Sequence, residues 1–205
     1  MIEDTITYLD ELFPNPRCEL NYSKDYELLL AVMLSAQTTD KRVNMVTKKL
    51  FTKYDTLYKL ANANIKDIQD IIRPIGTFHK KSLNVKEIAT RLLKDQKGVV
   101  PNNRTYLESL PGVGRKTVNV VLSNLFNEDL IAVDTHVSRV SKRLKLANKN
   151  DDVLVIEKKL NKKFPKEKLG RLHHQLVLFG RYYCKAQKPL CDNCKLRKYC
   201  IENKK

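Results

Sequence analysis

Apolar residues recur at intervals of three or four positions along almost the whole chain, and this spacing restricts the fold more than any other feature. Val118, Val121, Leu122 and Leu125 form the most regular set, and similar sets continue as far as Leu176. An α-helix turns once in about 3.6 residues, so each set marks one face of an amphipathic helix. No segment alternates apolar and polar residues as a half-buried strand does. The sequence therefore predicts an all-α fold with short connections.

The charge of the chain indicates a polyanionic partner. There are 39 lysines and arginines against 23 aspartates and glutamates, which gives a formal net charge of +16. Such an excess favours a nucleic acid, because cationic side chains displace the counterions that surround the phosphates. Charge alone does not distinguish DNA from RNA.

Length and apolar content bear on domain number and location. A chain of 205 residues with an apolar fraction of 42% can form one large or two small domains with real cores. The longest apolar run, Leu28–Leu34, is too short to span a membrane and is interpreted as a buried helix. The acidic start, Met1–Asp4, does not resemble a secretory signal. We therefore expect a cytoplasmic, nucleoid-associated protein with no membrane partner.

The segment Leu110–Thr117 contains a proline and two glycines immediately before an amphipathic helix. Such a segment forms a tight turn, and the first amides of the following helix have no carbonyl partner within that helix. Together with the positive end of the helix dipole, these amides form a site for a phosphate group. We therefore expect Gly112, Val113, Gly114 and Arg115 to bind the backbone of a nucleic acid.

Lys116 lies in the first turn of that helix, where two roles are open. A lysine is almost wholly protonated at neutral pH and is then a poor nucleophile, so the ordinary role is a contact to phosphate. Three features would favour the neutral amine: the helix N-terminus, the adjacent Arg115, and burial in a cleft beside Val113 and Val118. Taken alone, the segment favours the phosphate contact.

Asp134 follows the apolar triplet Ile131–Val133 and precedes another helical face. An aspartate in that position usually caps the helix, and Asp151 precedes a later helix in the same way. Capping is compatible with catalysis, because a carboxylate at a helix N-terminus stays ionised and points in a fixed direction. Such a group could stabilise positive charge on a sugar ring during cleavage of a glycosidic bond. His136, two residues later, is interpreted as structural.

Four of the five cysteines are clustered late in the chain, whereas Cys18 stands apart. Six, two and five residues separate the clustered four, Cys184, Cys191, Cys194 and Cys200. A disulfide framework is not expected in a reducing compartment, so the clustering predicts a metal site. Four thiolates suit either a zinc ion or an iron–sulfur cluster. Zinc sites usually use two close pairs, and only one pair is present here, so the spacing slightly favours a [4Fe–4S] cluster.

The segment that holds these four cysteines, residues 184–200, is called the cysteine loop below. It is rich in cations, which include Lys185 and Lys188. A loop that is held by a metal centre and carries cations would form a rigid surface for phosphates. We expect Lys185 and Lys188 to bind DNA there.

Three of these features together resemble the endonuclease III family, the helix-hairpin-helix DNA glycosylases with AP-lyase activity. They are the segment 110–117, the segment 133–137 and the spacing of the four cysteines, and the segments 34–40 and 173–182 also resemble that family. The resemblance covers nearly the whole chain. The cysteine spacing is highly specific when it occurs with the other two features. The segment 110–117, called the hairpin below, is less specific, because many DNA-binding proteins carry a similar one.

The resemblance implies two helical domains with a DNA-binding cleft between them. Residues 18–128 would form a six-helix barrel that contains the helix-hairpin-helix, and residues 1–17 with 129–205 would form the iron–sulfur domain. It also implies that Lys116 is the nucleophile and Asp134 the essential carboxylate. The four cysteines of the cysteine loop would hold a [4Fe–4S] cluster.

The resemblance extends to residues that separate the DNA strands. Gln37 matches the family residue that fills the gap left by the extruded nucleotide. Thr77 lies where several members carry a bulky apolar wedge, and the adjacent Phe78 is the candidate to replace that wedge. This departure leaves the preferred damaged base, and the base opposite it, open.

The function that the resemblance implies is base excision repair. We expect a monomeric, bifunctional DNA glycosylase and AP lyase that binds duplex DNA with a damaged base or an abasic site. It would remove an oxidised pyrimidine and cut 3′ to the abasic site by β-elimination, through a Schiff base on Lys116. One alternative is a monofunctional adenine- or mismatch-specific glycosylase of the same superfamily, which would generally lack this lysine. The other is a non-catalytic DNA-binding module, which would leave the pairing of Lys116 with Asp134 unexplained.

Overall fold

The computed structural model describes residues 1–204, with side chains described as far as residue 202. The regular elements within residues 1–204 are all helical, so the predicted all-α fold is confirmed. Among these residues, no helix combines the length and the apolar character that crossing a membrane requires. The chain divides into two compact units: Cys18–Phe126, and Met1–Arg17 together with the residues from Asn127 onward.

The α-helices of the described chain are numbered in chain order. They are α1 (Ile2–Leu12), α2 (Asp25–Leu34), α3 (Asp40–Lys53), α4 (Leu57–Ala61), α5 (Ile65–Ile72), α6 (Phe78–Gln96), α7 (Arg104–Glu108), α8 (Arg115–Phe126), α9 (Thr135–Arg143), α10 (Val153–Lys163) and α11 (Leu169–Leu178). Short 3₁₀ turns lie at Lys166–Lys168, Arg197–Tyr199 and Ile201–Lys204, and a π-helical turn lies at Phe179–Tyr183.

The unit Cys18–Phe126 is built around α2. Every residue of the run Leu28–Leu34 is buried, as its unbroken apolar character predicts. Helices α3, α6 and α8 pack against α2, and α4 and α5 pack against α6. The long helix α6 therefore contacts several other elements of this unit.

The second unit joins α1 to α9, α10 and α11. Its core contains Leu9 of α1, Val137 and Val140 of α9, and Leu176 and other apolar residues at and beyond α11. The π-helical turn that follows α11 ends in a hydrogen bond of 2.7 Å from the Cys184 amide to the Phe179 carbonyl. This core therefore reaches directly to the beginning of the cysteine loop.

The cap of α10 differs from the sequence prediction by one residue. Asp152, not Asp151, is the N-cap, and its Oδ1 accepts a hydrogen bond of 2.8 Å from the Val155 amide. Asp151 instead accepts hydrogen bonds from the Asn148 amide at 2.7 Å and from Lys159 Nζ at 2.6 Å. Either of these adjacent aspartates could cap the helix that follows, and the contact of Asp151 with Lys159 leaves Asp152 as the cap.

Candidate active site and nucleic-acid interface

The predicted hairpin is present between α7 and α8. The Val113 amide donates a hydrogen bond of 3.1 Å to the Leu110 carbonyl and closes a turn with Pro111 in its second position. Gly112 occupies the third position with φ of +76°, as in a type II turn. Val113 is buried, whereas Gly112 and Gly114 are exposed. The turn thus anchors itself through one apolar side chain and presents its glycine backbone outward.

The two glycines of this hairpin are needed for different reasons. A Cβ atom on Gly112 would come closer to the Asn84 side-chain amide than real Cβ atoms approach any neighbour. The positive φ of Gly112 also disfavours any other residue. A Cβ atom on Gly114 would meet nothing within 4 Å. Gly112 is therefore required by the fold of the hairpin, whereas Gly114 leaves room for a close approach from outside.

Lys116 is the second residue of α8 and its side chain is exposed. Burial beside Val113 and Val118, one of the three features that would favour a neutral amine, is not present in the protein without DNA. Both valines point into the core, and Lys116 lies on the opposite, solvent-facing side of the first helical turn. The amine is accordingly accessible to a large substrate.

Asp134 caps α9, as the sequence predicts. Its Oδ1 accepts a hydrogen bond of 2.8 Å from the Val137 amide, while the residue itself is half-buried. The other carboxylate oxygen makes no hydrogen bond to a described residue. The cap thus fixes the carboxylate and leaves one oxygen for a further contact. Lys116 and Asp134 belong to different units of the chain.

His136 has a structural environment. Its backbone and Cβ pack so closely on Gly180 that a side chain at Gly180 would clash with it. Its Nδ1 lies 3.3 Å from Nη2 of Arg139, which also donates a hydrogen bond of 2.6 Å to the Gly180 carbonyl. These contacts tie α9 to the π-helical turn that precedes the cysteine loop.

Gln37 and Thr77 share an unusual backbone conformation. Both are exposed, and both have a left-handed φ, of 57° and 56° respectively. This region is unfavourable for residues other than glycine and is often found at functional sites. Phe78, the first residue of α6, is half-buried, with its ring centroid 4.0 Å from that of His79 and 6.0 Å from the Arg73 guanidinium carbon.

Two side chains of α6 support these segments, and neither was among the site residues predicted from the sequence. Lys81 is buried and donates hydrogen bonds to carbonyls on both sides of Ser35. Asn84, also buried, packs against Gly112 of the hairpin. A signal was present in the sequence, because Lys81 precedes Val85 and Ile88 at helical spacing and so extends their apolar face.

The four clustered cysteines line one cavity, which is partly open to solvent. Burial raises the pKa of the Cys194 and Cys200 thiols, and the neighbouring cysteines raise them further. Arg143 Nη1 lies 3.5 Å from Cys184 Sγ, and the Glu202 amide donates to Cys200 Sγ at 3.4 Å. The thiols therefore face one space and have hydrogen-bond donors around them.

The chemistry of these side chains limits what they can hold. In the described part of the chain, no group of three or more histidine, cysteine or acidic side chains is arranged to bind a metal ion. Four thiols that line one cavity are a donor set suited to an iron–sulfur cluster or to zinc, the two alternatives that their spacing in the sequence leaves open.

Lys185 and Lys188 lie on the cysteine loop, and two arginines of α9 hold the loop in place. Arg143 Nη1 donates a hydrogen bond of 2.7 Å to the Lys185 carbonyl, and Arg139 Nε donates one of 3.1 Å to the Cys184 carbonyl. Lys188 is exposed and has a left-handed φ of 48°. The helix that Asp134 caps therefore also carries the two arginines that anchor this loop.

Comparison with known proteins identifies the family. The HhH-GPD superfamily of base excision DNA repair proteins matches residues 30–166. Endonuclease III of Bacillus subtilis is 46% identical over 204 residues, which cover 100% of this chain and 93% of that protein.

Two solved structures have nearly the same fold. A non-covalent endonuclease III–DNA complex matches with a TM-score of 0.95 and 45% identity, covering 99% of this chain and 95% of the other. A trapped covalent endonuclease III–DNA intermediate matches with a TM-score of 0.93 and 45% identity, covering 100% and 98%. The chain belongs to the endonuclease III family, within the HhH-GPD superfamily of base excision DNA repair proteins.

Proposed function

We propose that this protein is a bifunctional DNA glycosylase and AP lyase of base excision repair, and that it removes oxidised pyrimidines from duplex DNA. The observation that carries the proposal is the exposed Lys116 in the first turn of the helix that leaves the hairpin. Membership of the endonuclease III family supports the same activity. We further propose that the enzyme acts as a monomer on chromosomal DNA, in the nucleoid of the cytoplasm.

Binding to the DNA backbone is assigned to two surfaces. The first is the hairpin, where Gly112 and Gly114 expose their backbone and Val113 anchors it from within. Arg115 adds a cation beside the helix N-terminus, which attracts a phosphate. The second surface is the cysteine loop, where Lys185 and Lys188 would contact phosphates.

Extrusion of the damaged nucleotide is assigned to two exposed segments. Gln37 would fill the gap left in the duplex, and Thr77 with Phe78 would separate the neighbouring bases. The left-handed conformations of Gln37 and Thr77 support this role, because such strain persists at sites where the surrounding structure enforces it. A damaged base has weaker stacking and pairing, which lowers the cost of extrusion.

The chemistry is assigned to Lys116 and Asp134. The neutral amine of Lys116 attacks C1′ of the sugar, the bond from C1′ to the base breaks, and the base leaves with the bonding electrons and takes up a proton from solvent. The attached nitrogen loses a proton, and its lone pair then displaces the ring oxygen, which is protonated in turn, so that the adduct becomes a protonated Schiff base. Abstraction of a proton from C2′ then expels the 3′ phosphate, and water hydrolyses the Schiff base to regenerate the lysine amine. Asp134 would stabilise the positive charge that develops on the sugar. Because Lys116 is exposed in the free protein, water has to be excluded from its amine by the bound DNA itself.

A [4Fe–4S] cluster is assigned to Cys184, Cys191, Cys194 and Cys200. The cavity that all four thiols line and the membership of the endonuclease III family support this assignment. The chemistry that such a cluster supplies is electron transfer, which base removal does not require, so we assign it the task of holding the cysteine loop in shape. Protein prepared without oxygen should absorb broadly at the blue end of the visible spectrum. Cys191→Ser should lose this absorbance and Cys18→Ser should keep it, whereas a colourless, zinc-loaded wild type would overturn the assignment.

Borohydride trapping on a duplex with one abasic site tests the proposed activity. Reduction of the Schiff base should give a covalent protein–DNA adduct with the wild-type protein and none with Lys116→Gln. Lys66→Gln is the matched control, because Lys66 is likewise an exposed second residue of a helix, α5, and should leave the adduct unchanged. Absence of an adduct with the wild-type protein would refute the lyase activity.

A further inference from the structure

Lys81 is unusual among the cations of this chain because it is buried. Its residue is 6% exposed, and no other lysine or arginine with a described side chain is buried. Its ammonium group lies 2.9 Å from the Leu34 carbonyl, 2.7 Å from the Ala36 carbonyl and 3.5 Å from Thr38 Oγ1. Burying a cation among neutral oxygens is costly, and burial lowers the pKa of Lys81. A lysine at this place therefore requires a reason beyond packing.

The oxygens that Lys81 binds surround Gln37. Leu34 is the last residue of α2, where carbonyls lack a partner within the helix and attract a cation. Ala36 and Thr38 lie immediately before and after Gln37. Gln37 itself has a left-handed φ of 57°, which only surrounding contacts can maintain. Lys81 thus holds both neighbours of the one residue in this loop whose backbone is strained.

The same helix connects this loop to Thr77 and to the hairpin. The Lys81 amide donates a hydrogen bond of 3.0 Å to the carbonyl of Thr77, the left-handed N-cap residue of α6. Asn84, one turn beyond Lys81, packs against Gly112. One stretch of two helical turns therefore sets the positions of Gln37, Thr77 and the hairpin within a single unit of the chain.

We propose that Lys81 is a positioning residue for nucleotide extrusion: its ammonium group holds the loop of residues 35–39 so that Gln37 stands at a set distance from Thr77 and Phe78. This inference rests on the proposed function, which assigns Gln37 to the gap in the duplex. Lys81 itself does not touch the reacting atoms. A displacement of the order of 1 Å in a positioned group can lower a rate by about a hundredfold, so removal of the ammonium group should have a measurable effect.

A double-mutant cycle tests whether Lys81 acts through Gln37. The readout is kcat/KM for cleavage of a duplex that carries one thymine glycol as its oxidised pyrimidine. We expect Lys81→Met and Gln37→Ala each to lower kcat/KM by roughly tenfold to a hundredfold. The double variant should have nearly the same kcat/KM as Lys81→Met alone, because removing the side chain of a Gln37 that is already misplaced causes no further loss. If the two losses multiply, or if Gln37→Ala has no effect in the wild-type background, the inference is wrong.

Lys86→Met is the matched control. Lys86 lies on the same helix and also donates from Nζ to a backbone carbonyl, that of Ala63, at 2.8 Å. That carbonyl belongs to a segment with no proposed DNA contact, so Lys86→Met should keep wild-type kcat/KM and the full effect of Gln37→Ala. If Lys81→Met fails to fold, Lys81→Gln, which removes the charge but keeps a hydrogen-bond donor on a shorter side chain, replaces it in the cycle with the same expected non-additivity.

Borohydride trapping separates this inference from the proposed function. The wild-type protein and folded Lys81 variants should all form the adduct at saturating abasic duplex, because Lys116 is unchanged. No adduct with the wild type refutes the proposed function. An adduct with the wild type, together with additive losses in the cycle, refutes only the role of Lys81.

Discussion

Asp134 caps α9 and is also proposed to act in catalysis. Substitution can separate these two roles, because the structure contains a second aspartate N-cap of nearly the same geometry. Asp134 Oδ1 accepts from the Val137 amide at 2.8 Å, and Asp152 Oδ1 accepts from the Val155 amide at 2.8 Å. Both residues have extended backbones and belong to the same unit. Only Asp134 is assigned to catalysis. The comparison therefore isolates the carboxylate from the cap.

The expected losses of stability follow from these contacts. Replacing an aspartate N-cap by alanine costs about 1 kcal/mol, and removing its charge from the helix dipole costs a further 0.3–1 kcal/mol, roughly. Asp134→Ala should therefore lose about 1.5 kcal/mol and Asp152→Ala, which is more exposed, about 1 kcal/mol. Serine keeps the cap, so Asp134→Ser should lose only about 0.5 kcal/mol. For a chain of this size these losses correspond to Tm shifts of about 2–4 °C per kcal/mol.

The expected losses of activity follow a different order. A group that assists charge or proton transfer contributes roughly a hundredfold to ten-thousandfold in rate. Asp134→Ser and Asp134→Ala should therefore both lose at least about a hundredfold in kcat, although their stabilities differ. Asp152→Ala should retain wild-type kcat at a lower Tm.

Thermal unfolding followed by circular dichroism and single-turnover base release measure the two quantities on the same samples. A catalytic role for the Asp134 carboxylate is refuted if Asp134→Ser keeps more than about a tenth of the wild-type rate, because the cap alone would then account for the effect of the residue. The role is also refuted if Asp152→Ala loses activity as severely as Asp134→Ala, because the loss would then come from unfolding of the whole unit.

Three further predictions use other parts of the molecule. Gly112→Ala should lose more than about 1 kcal/mol of unfolding free energy, measured by urea denaturation, and should bind DNA more weakly. Gly114→Ala should keep its stability, because only the substitution at Gly112 creates a clash and a strained φ. Equal stabilities of the two variants would contradict this. Burial lowers the pKa of His174 below its ordinary value of about 6.5. The neutral imidazole therefore stabilises the fold above about pH 6.5, and this contribution is lost as the pH falls and the ring has to be protonated. The unfolding free energy should decrease from about pH 7 to pH 5, with a shallower decrease in His174→Gln. Replacing Lys185 and Lys188 by alanine should reduce the salt dependence of DNA binding, log K against log salt, by about 0.9 for each phosphate that the protein no longer neutralises; an unchanged slope would remove both residues from the interface.

Much of the fold was predictable because helical periodicity is a local property. The face marked by Val118, Val121 and Leu122 becomes the buried side of α8, and the run Leu28–Leu34 becomes the buried helix α2. The cap at Asp134 was predictable for the same reason, because donor and acceptor are three residues apart. The choice between Asp151 and Asp152 was not, since it depends on Lys159, which lies two helical turns beyond the cap.

In the candidate site, too, the features set by neighbouring residues were predictable and those set by tertiary packing were not. The sequence indicated the hairpin, Lys116 and the cysteine spacing, since each is a short motif with its own chemistry. It left open whether Val113 and Val118 bury the amine of Lys116, and the structure shows the side chain exposed on the outer side of the first turn of α8. Burial depends on which side of a helix turns toward the core, and at the first turn this is settled by the packing of Val113 and Val118.

The sequence by itself therefore determined the helical class, the positions of most helices and the residue types that carry the chemistry, because these depend on neighbours within a few positions. Only the tertiary structure decided that a buried lysine of α6 holds the loop around Gln37. That contact joins Lys81 to Leu34 across 47 positions of sequence. Helical spacing marks Lys81 as part of the buried face of α6, but it does not reveal the partner, because this hydrogen bond forms only after α2 and α6 have packed together.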